Sequence, residues 1–158
     1  MYRQLQGLII MRKIEKCDRE KYPVLVGIWE RAVRATHDFL SEKDIQEIKA
    51  ELIPGYFPQV EVFVLEDDRY GDVGFIGILG SKIEMLFVDT PYHGHGYGTK
   101  LIEFAISNGA TAVDVNEQNP LAADFYMKRG FRIISRDETD DAGRPFPILH
   151  MALDSHAL

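Results

Sequence analysis

Cysteine is nearly absent: the 158 residues contain one, Cys17. That excludes an internal disulfide framework and fits a reducing cytoplasm. Cys17 itself is expected to be a small part-buried residue at the end of a first strand rather than a nucleophile. Long apolar runs are also missing, so nothing resembles a membrane span, and MYRQLQGLIIMRK lacks the long apolar core and small-residue cleavage site of a secretory leader. Met11 offers an alternative start, which would make residues 1–10 an extension. There is no basic surplus either. Lys plus Arg number 18 against 25 Asp plus Glu, and the net charge of −7 argues against nucleic acid as a partner. An anion site built from backbone amides needs no basic side chains and stays compatible with that charge. Finally, there is no repeat, low-complexity tract or Ser/Gly linker, so a single globular domain over 1–158 is expected.

What is present alternates between strand and helix patterns. A first strand is expected from about Leu8 to Glu15. Val24, Leu25, Ile28, Trp29, Ala32 and Val33 then recur at helical spacing over about Arg19 to Thr36, with Asp18 as N-cap and Pro23 in the early turns. SEKD (Ser41 to Asp44) reads as a capping box that opens a second helix, ended by Pro54-Gly55. Three strands come next as an antiparallel meander: Val60 to Asp67, Asp72 to Gly80 and Lys82 to Asp89. In the last, Met85-Leu86-Phe87-Val88 is apolar on both faces, as suits a central strand, and alternation puts Lys82 and Glu84 on one face with Leu86 and Val88. A glycine-rich loop leads into a helix that carries Leu101, Ile102, Ala105 and Ile106 and ends at Asn108-Gly109. Thr111 to Val115 is a fifth strand. Asn119 caps a further helix, with Pro120 first and Gly130 after its end. FRIISRDE and PFPILHMAL are the last strands, with Pro145 and Pro147 blunting an exposed edge. The order β α α β β β α β α β β gives an α/β fold: a mixed, mostly antiparallel sheet of about seven strands with helices on both faces.

The loop YHGHGYGTKL (Tyr92 to Leu101) has glycine at 94, 96 and 98. It is not a phosphate-binding G-x-x-x-x-G-K-[ST], because Thr99 separates the last glycine from Lys100. It is not G-x-G-x-x-G in an early βαβ unit either. A tight strand-to-helix turn would explain the glycines. So would a diphosphate seated against successive amides at the positive end of the helix.

The pattern V-D-x-x-x-H-G-x-G-x-G, helix, strand, then NPLAADFYMKRGF (Asn119 to Phe131), resembles the GNAT superfamily of acetyl-coenzyme A dependent N-acetyltransferases over nearly the whole chain. ATHDFL, DVNEQN and DDAGRPFPILHM are most similar to its bacterial YjaB-type branch. Where the family has Arg or Gln at the head of the loop, this chain has His93. The resemblance implies acetyl-coenzyme A as acyl donor, with its pantetheine arm between splayed fourth and fifth strands. That arm would lie against Leu86, Phe87 and Val88, meeting the main chain of Leu86 and Val88. Its diphosphate would lie on the amides of His93, Gly94, His95, Gly96, Tyr97 and Gly98 and on the Thr99 hydroxyl. Asn119, Ala122 and Phe125 would complete the donor site.

Acetyl transfer to an amine moves two protons. The resemblance assigns Tyr126 to protonate the departing thiolate. A half-buried core tyrosine is the other reading. An amine of pKa roughly 10.4 is only about 0.1% neutral at physiological pH, a deficit of roughly 4 kcal/mol. Glu84 is the candidate base and Asn116 the residue to hold a relaying water, against a solvated strand-end charge for Glu84. His37, Asp38 and Phe39 lie in the connection that overhangs the acceptor in the family. His93 and His95 lack a third ligand, and no metal is expected. The expectation is a cytoplasmic N-acetyltransferase acting on a small amine, a protein lysine or an N-terminus by direct attack in a ternary complex, as monomer or homodimer. A non-catalytic acyl-coenzyme A sensor and a nucleotide-binding protein are the rivals.

Overall fold

A computed structural model describes residues 11–154. The first strand, β1, is Arg12–Lys16; the expected start at Leu8 lies outside the described residues. A 3-10 turn, Arg19–Lys21, precedes α1 (Tyr22–Thr36), with Pro23 in its opening turn. Asp18 stands at the N-cap of the turn but its side chain makes no capping bond, so the expected cap is corrected. The Ser41 box is formed: Ser41 Oγ accepts from the Asp44 amide, and Asp44 accepts from the Ser41 amide, both at 3.1 Å. It opens α2, Glu42–Glu51. Pro54-Gly55 does not stop the chain's coiling there. The segment Leu52–Tyr56 widens into a π-helical turn, which tolerates proline's missing N–H because the bonding pattern is already shifted.

Strands β2 (Glu61–Asp67), β3 (Gly71–Leu79) and β4 (Lys82–Val88) form the meander. After them come α3 (Tyr97–Ser107), β5 (Ala112–Asn116), α4 (Pro120–Met127), β6 (Phe131–Asp137) and β7 (Ile148–Leu153). The sheet has seven strands in the order β1-β2-β3-β4-β5-β7-β6. β6 is therefore an edge, whereas β7 is paired on both sides; Pro145 and Pro147 precede β7 and blunt no edge. Helices α1 and α2 cover one face over Phe57, Val62, Val64 and Phe75. Helices α3 and α4 cover the other over Leu65, Ile76, Ile83, Val113 and Met151.

Two irregularities set up the site. β4 and β5 run parallel but pair only at Lys82↔Ala112 and Ile83↔Val113, and beyond that they part. In the other direction Ile83 pairs with Ile78 but Met85 with Gly77, so Glu84 is one extra residue in β4, a bulge. An extra residue reverses the facing of every residue after it in the strand. Ile83, Leu86 and Val88 pack with the α3/α4 core, and Met85 and Phe87 with the α1/α2 core. Glu84 therefore does not share a face with Leu86 and Val88 as simple alternation predicts.

Candidate active site

The free edge of β4 is oriented by its neighbour. The Asp89 amide donates to Val73 O on β3 at 2.8 Å. Because successive residues of a strand direct their polar groups to opposite sides, Phe87 also faces β3, while the N–H and C=O of Leu86 and Val88 face the gap beside β5. Phe87 thus offers the gap its side chain and not its main chain. A cavity of ≈ 140 Å³ occupies the splay, lined by Leu86, Asn119, Ala122, Tyr126 and His37 among others. A second cavity of ≈ 320 Å³ lies towards α1 and α2, with Trp29, Tyr56, Phe87 and Phe146 in its walls. Glu84, Met85, Phe87, Asp114 and Asn116 line both, so the two spaces meet at the opening between the strands.

The glycine loop is braced from both ends by buried carboxylates. At its head, Asp89 takes a two-pronged pair of bonds from Arg31 of α1, each 2.8 Å, and accepts from the Thr90 amide. At its far end Tyr97, the first residue of α3, donates its hydroxyl to Asp67 at 2.7 Å. Arg69 and Arg12 also bond Asp67, and the Arg69 bond, then Tyr97, hold that carboxyl far below the usual carboxylate range. Tyr97 is therefore an anchor, with only its amide available to a ligand. Gly94 and Gly96 have φ of 84° and 81°, a left-handed backbone that L side chains resist, and that alone explains two of the glycines. Gly98 lies against the Phe125 ring. Among the described residues the amides of Gly94 to Thr99 have no partner; the His93 amide is already turned onto Thr90 O. Gly96→Ala is expected to cost about 1–2 kcal/mol of stability through the forced left-handed residue and to weaken anion binding by displacing these amides. Denaturant titration and calorimetry with coenzyme A check both.

Both histidine rings of the loop turn onto main-chain carbonyls. His93 Nε2 donates to Val88 O at 2.9 Å, capping one of the free edge groups, and His95 Nδ1 donates to Tyr92 O while its ring stacks on Tyr97. Among the described residues no three His, Cys, Asp or Glu side chains are placed to hold a metal ion.

Tyr126 is buried on α4, 7% exposed, yet its hydroxyl has no hydrogen-bond partner among the described residues. Burial pushes its pKa above the usual phenol value, so the hydroxyl stays protonated across the physiological range. Asn119 caps α4 through Oδ1, which accepts from the Ala122 amide, and its amide group is left as donor. Phe125 packs between Gly98 and Arg129 and lines neither cavity. Across the opening, Glu84 is 3.2 Å from Lys82, which also bonds Asp114. Burial disfavours the Lys82 ammonium, but these two carboxylates outweigh it and raise its pKa. Asn116 is the last residue of β5 rather than beyond it, and lines both cavities.

Of the overhanging connection, His37 reaches the splay cavity, and burial pushes its pKa down to about 4, so it is neutral at physiological pH. Phe39 stacks edge-on against Phe146 behind the larger cavity, and Asp38 lines neither. Sequence reasoning missed Asp114, Trp29, Tyr56 and Phe146. Only Asp114 left a signal, as the one acid in TAVDV, set between Val113 and Val115.

Comparison with known proteins decides the family. Residues 58–133 match the model of the acetyltransferase (GNAT) domain. The peptidyl-lysine N-acetyltransferase YjaB of Salmonella typhimurium is 37% identical over 143 residues, 90% of this chain and 98% of that protein. The chain belongs to the GNAT acetyltransferases. The solution structure of apo-form YjaB from Escherichia coli superposes with a TM-score of 0.82 at 38% identity, covering 90% of this acetyltransferase and 97% of that chain. The fold also matches, at 20% identity and a TM-score of 0.61, PaiA N-acetyltransferase from Thermoplasma acidophilum in complex with coenzyme A, covering 89% and 98% of the two chains. Family membership makes this protein an acetyltransferase that acts on an amine.

Proposed function

We propose that this acetyltransferase moves the acetyl group of acetyl-coenzyme A to a lysine side chain of a peptide or protein, by direct attack while both substrates are bound. One observation carries the reading: a cavity in the splay and a larger one towards α1 and α2 meet where β4 and β5 part, with Tyr126 lining the first and Glu84 lining both. A thioester held along the free Leu86 and Val88 edge, in the manner of an added strand, would leave the larger cavity to the amine. The name of the relative that matches over nearly its full length favours peptidyl lysine as acceptor. Aromatic walls suit the aliphatic stem of lysine, and the carboxylates of Glu84 and Asp114 suit its ammonium.

The residues divide the work. The amides of Gly94 to Thr99 hold the diphosphate, and His93 leaves Val88 O when the pantetheine amide takes that carbonyl. Glu84, directly or through a water held by Asn116, takes a proton from the acceptor ammonium, which frees the nitrogen lone pair that bonds the acetyl carbon. Tyr126 gives its phenol proton to the sulfur as the carbon–sulfur bond breaks. The single cysteine suits a reducing cytoplasm as the place of action.

The test is a screen of lysine peptides, free lysine and alkyl amines with acetyl-coenzyme A, reading free thiol and the mass of the acceptor. Lysine peptides are expected to be acetylated on the side chain. Coenzyme binding without thiol release from any amine would overturn the assignment in favour of an acyl-coenzyme A sensor.

A further inference from the structure

We propose that Arg129 belongs to the phosphate seat of the coenzyme, where it turns the Thr99 hydroxyl into a donor and places a guanidinium charge beside the glycine-loop amides. The proposal rests on the acetyl-coenzyme A reading above. Arg129 comes just after α4 and reaches back to the first turn of α3. Its Nη2 donates to Thr99 Oγ1, its Nη1 donates to Phe125 O at 2.9 Å, and its guanidinium carbon lies 3.8 Å from the centre of the Phe125 ring. The same ring abuts Gly98, where a Cβ would sit 3.4 Å from two of its atoms. One aromatic ring therefore fixes both the guanidinium and the residue before Thr99.

The donor inventory sets the role of Thr99. A guanidinium only donates, so the Thr99 oxygen is the acceptor in this bond and its own proton is left for another partner. No described residue accepts that proton. Thr99 is the third residue of α3, and its amide is one of those left without a partner at the helix start. A hydroxyl committed to donate thus sits with an unpaired amide at the positive end of a helix.

Charge supplies the second argument. The loop between His93 and Gly98 has no Lys or Arg, and His95 is folded back onto Tyr92 O. The donor's diphosphate and 3′-phosphate must bind a protein of net charge −7. Amide dipoles offer partial charge; a guanidinium one hydrogen bond away adds a full one. The arginine is also held at a cost, because its Nε is buried with no partner. A side chain placed only for packing would avoid that.

The experiment compares wild type with Arg129→Gln and Arg129→Lys, measuring coenzyme A affinity by calorimetry at several salt concentrations. In parallel it measures turnover with S-acetyl-N-acetylcysteamine, a thioester that lacks phosphates. Arg129→Gln is expected to weaken coenzyme A binding about 10-fold or more, as for a hydrogen bond to a charged group. Its salt dependence should become shallower, Arg129→Lys should recover part of the loss, and turnover of the phosphate-free thioester should be unchanged. Adding Thr99→Ala to Arg129→Gln should cost less than Thr99→Ala does alone, because the two act through one bond. Unchanged coenzyme affinity in Arg129→Gln overturns the proposal, and so does an equal loss with the phosphate-free thioester, which would mark Arg129 as a packing residue. A wild type that does not bind coenzyme A would sink the acetyl-coenzyme A reading itself, whereas wild-type binding that Arg129→Gln leaves intact sinks this inference alone.

Discussion

Replacing Tyr126 by phenylalanine is expected to lower turnover by about 10²- to 10⁴-fold, the usual contribution of a positioned general acid, while coenzyme A affinity stays near that of wild type. The two effects separate because the ring and the hydroxyl do different things. The ring is part of the α3/α4 core, in edge-on contact with Phe125 and Phe131. Phenylalanine keeps that packing. The hydroxyl bonds no described residue, so its removal leaves no orphaned partner behind. Only a group that meets the phenol during turnover should notice the change. The pH dependence sharpens the test. Burial raises the phenol's pKa, so the protonated form needed for donation persists beyond the usual value of roughly 10, and a loss of rate on the alkaline side below that must come from elsewhere. Steady-state kinetics with calorimetry on Tyr126→Phe check the separation. A variant that loses affinity and turnover together would show the tyrosine to be a binding group.

The largest effect on stability is expected at Phe75. Its side chain is fully buried in the middle of β3 and lies between Phe57, edge-on at 5.9 Å, and Phe87 at 5.7 Å between ring centres. Phe57, in the 3-10 turn Phe57–Gln59 that follows the π-helical turn, in turn meets Tyr22 of α1 at 4.8 Å, so this row of rings joins that turn, α1 and the sheet. Truncation to alanine removes the centre of the row and opens a cavity with little to fill it. A cost of about 3–5 kcal/mol is expected, which for a domain of this size lowers the melting temperature by about 6–20 °C. Phe87 lines both cavities and loses its neighbour, so turnover at a permissive temperature should fall as well. Thermal unfolding of Phe75→Ala, with an assay well below its midpoint, measures both.

Local signals carried far in this chain. The order of elements, the Ser41 capping box, the Asn119 cap and the central place of β4 are legible from periodicity and cap chemistry, because each is set by residues close in sequence. The departures share a different cause. Met85-Leu86-Phe87-Val88 is apolar on both faces, so no alternation marks where the facing reverses, and the bulge at Glu84 emerges only from the pairing with β3. Pro54-Gly55 reads as a stop, yet packing of Leu52 and Phe57 carries the coiling through it as a wider turn. His93 stands at the head of the loop in sequence, but its ring is spent on Val88 O, a group supplied by another element. Asp114 and Arg129 gain their meaning from partners on other strands and helices, which no local pattern encodes. The gap between β4 and β5 came from the family resemblance, and the two-residue extent of their pairing now gives it a physical basis.

The extra residue at Glu84 makes β4 a splice of two half-strands with opposite handedness of facing. Each half is locked by its own hydrophobic register, one through Ile83 and the other through Met85 to Val88. The residue at the seam answers to neither lock. It can be exchanged for another polar side chain without re-threading the sheet on either side, so the charge presented at the opening between the strands is free to diverge at one position while the scaffold that carries it stays the same.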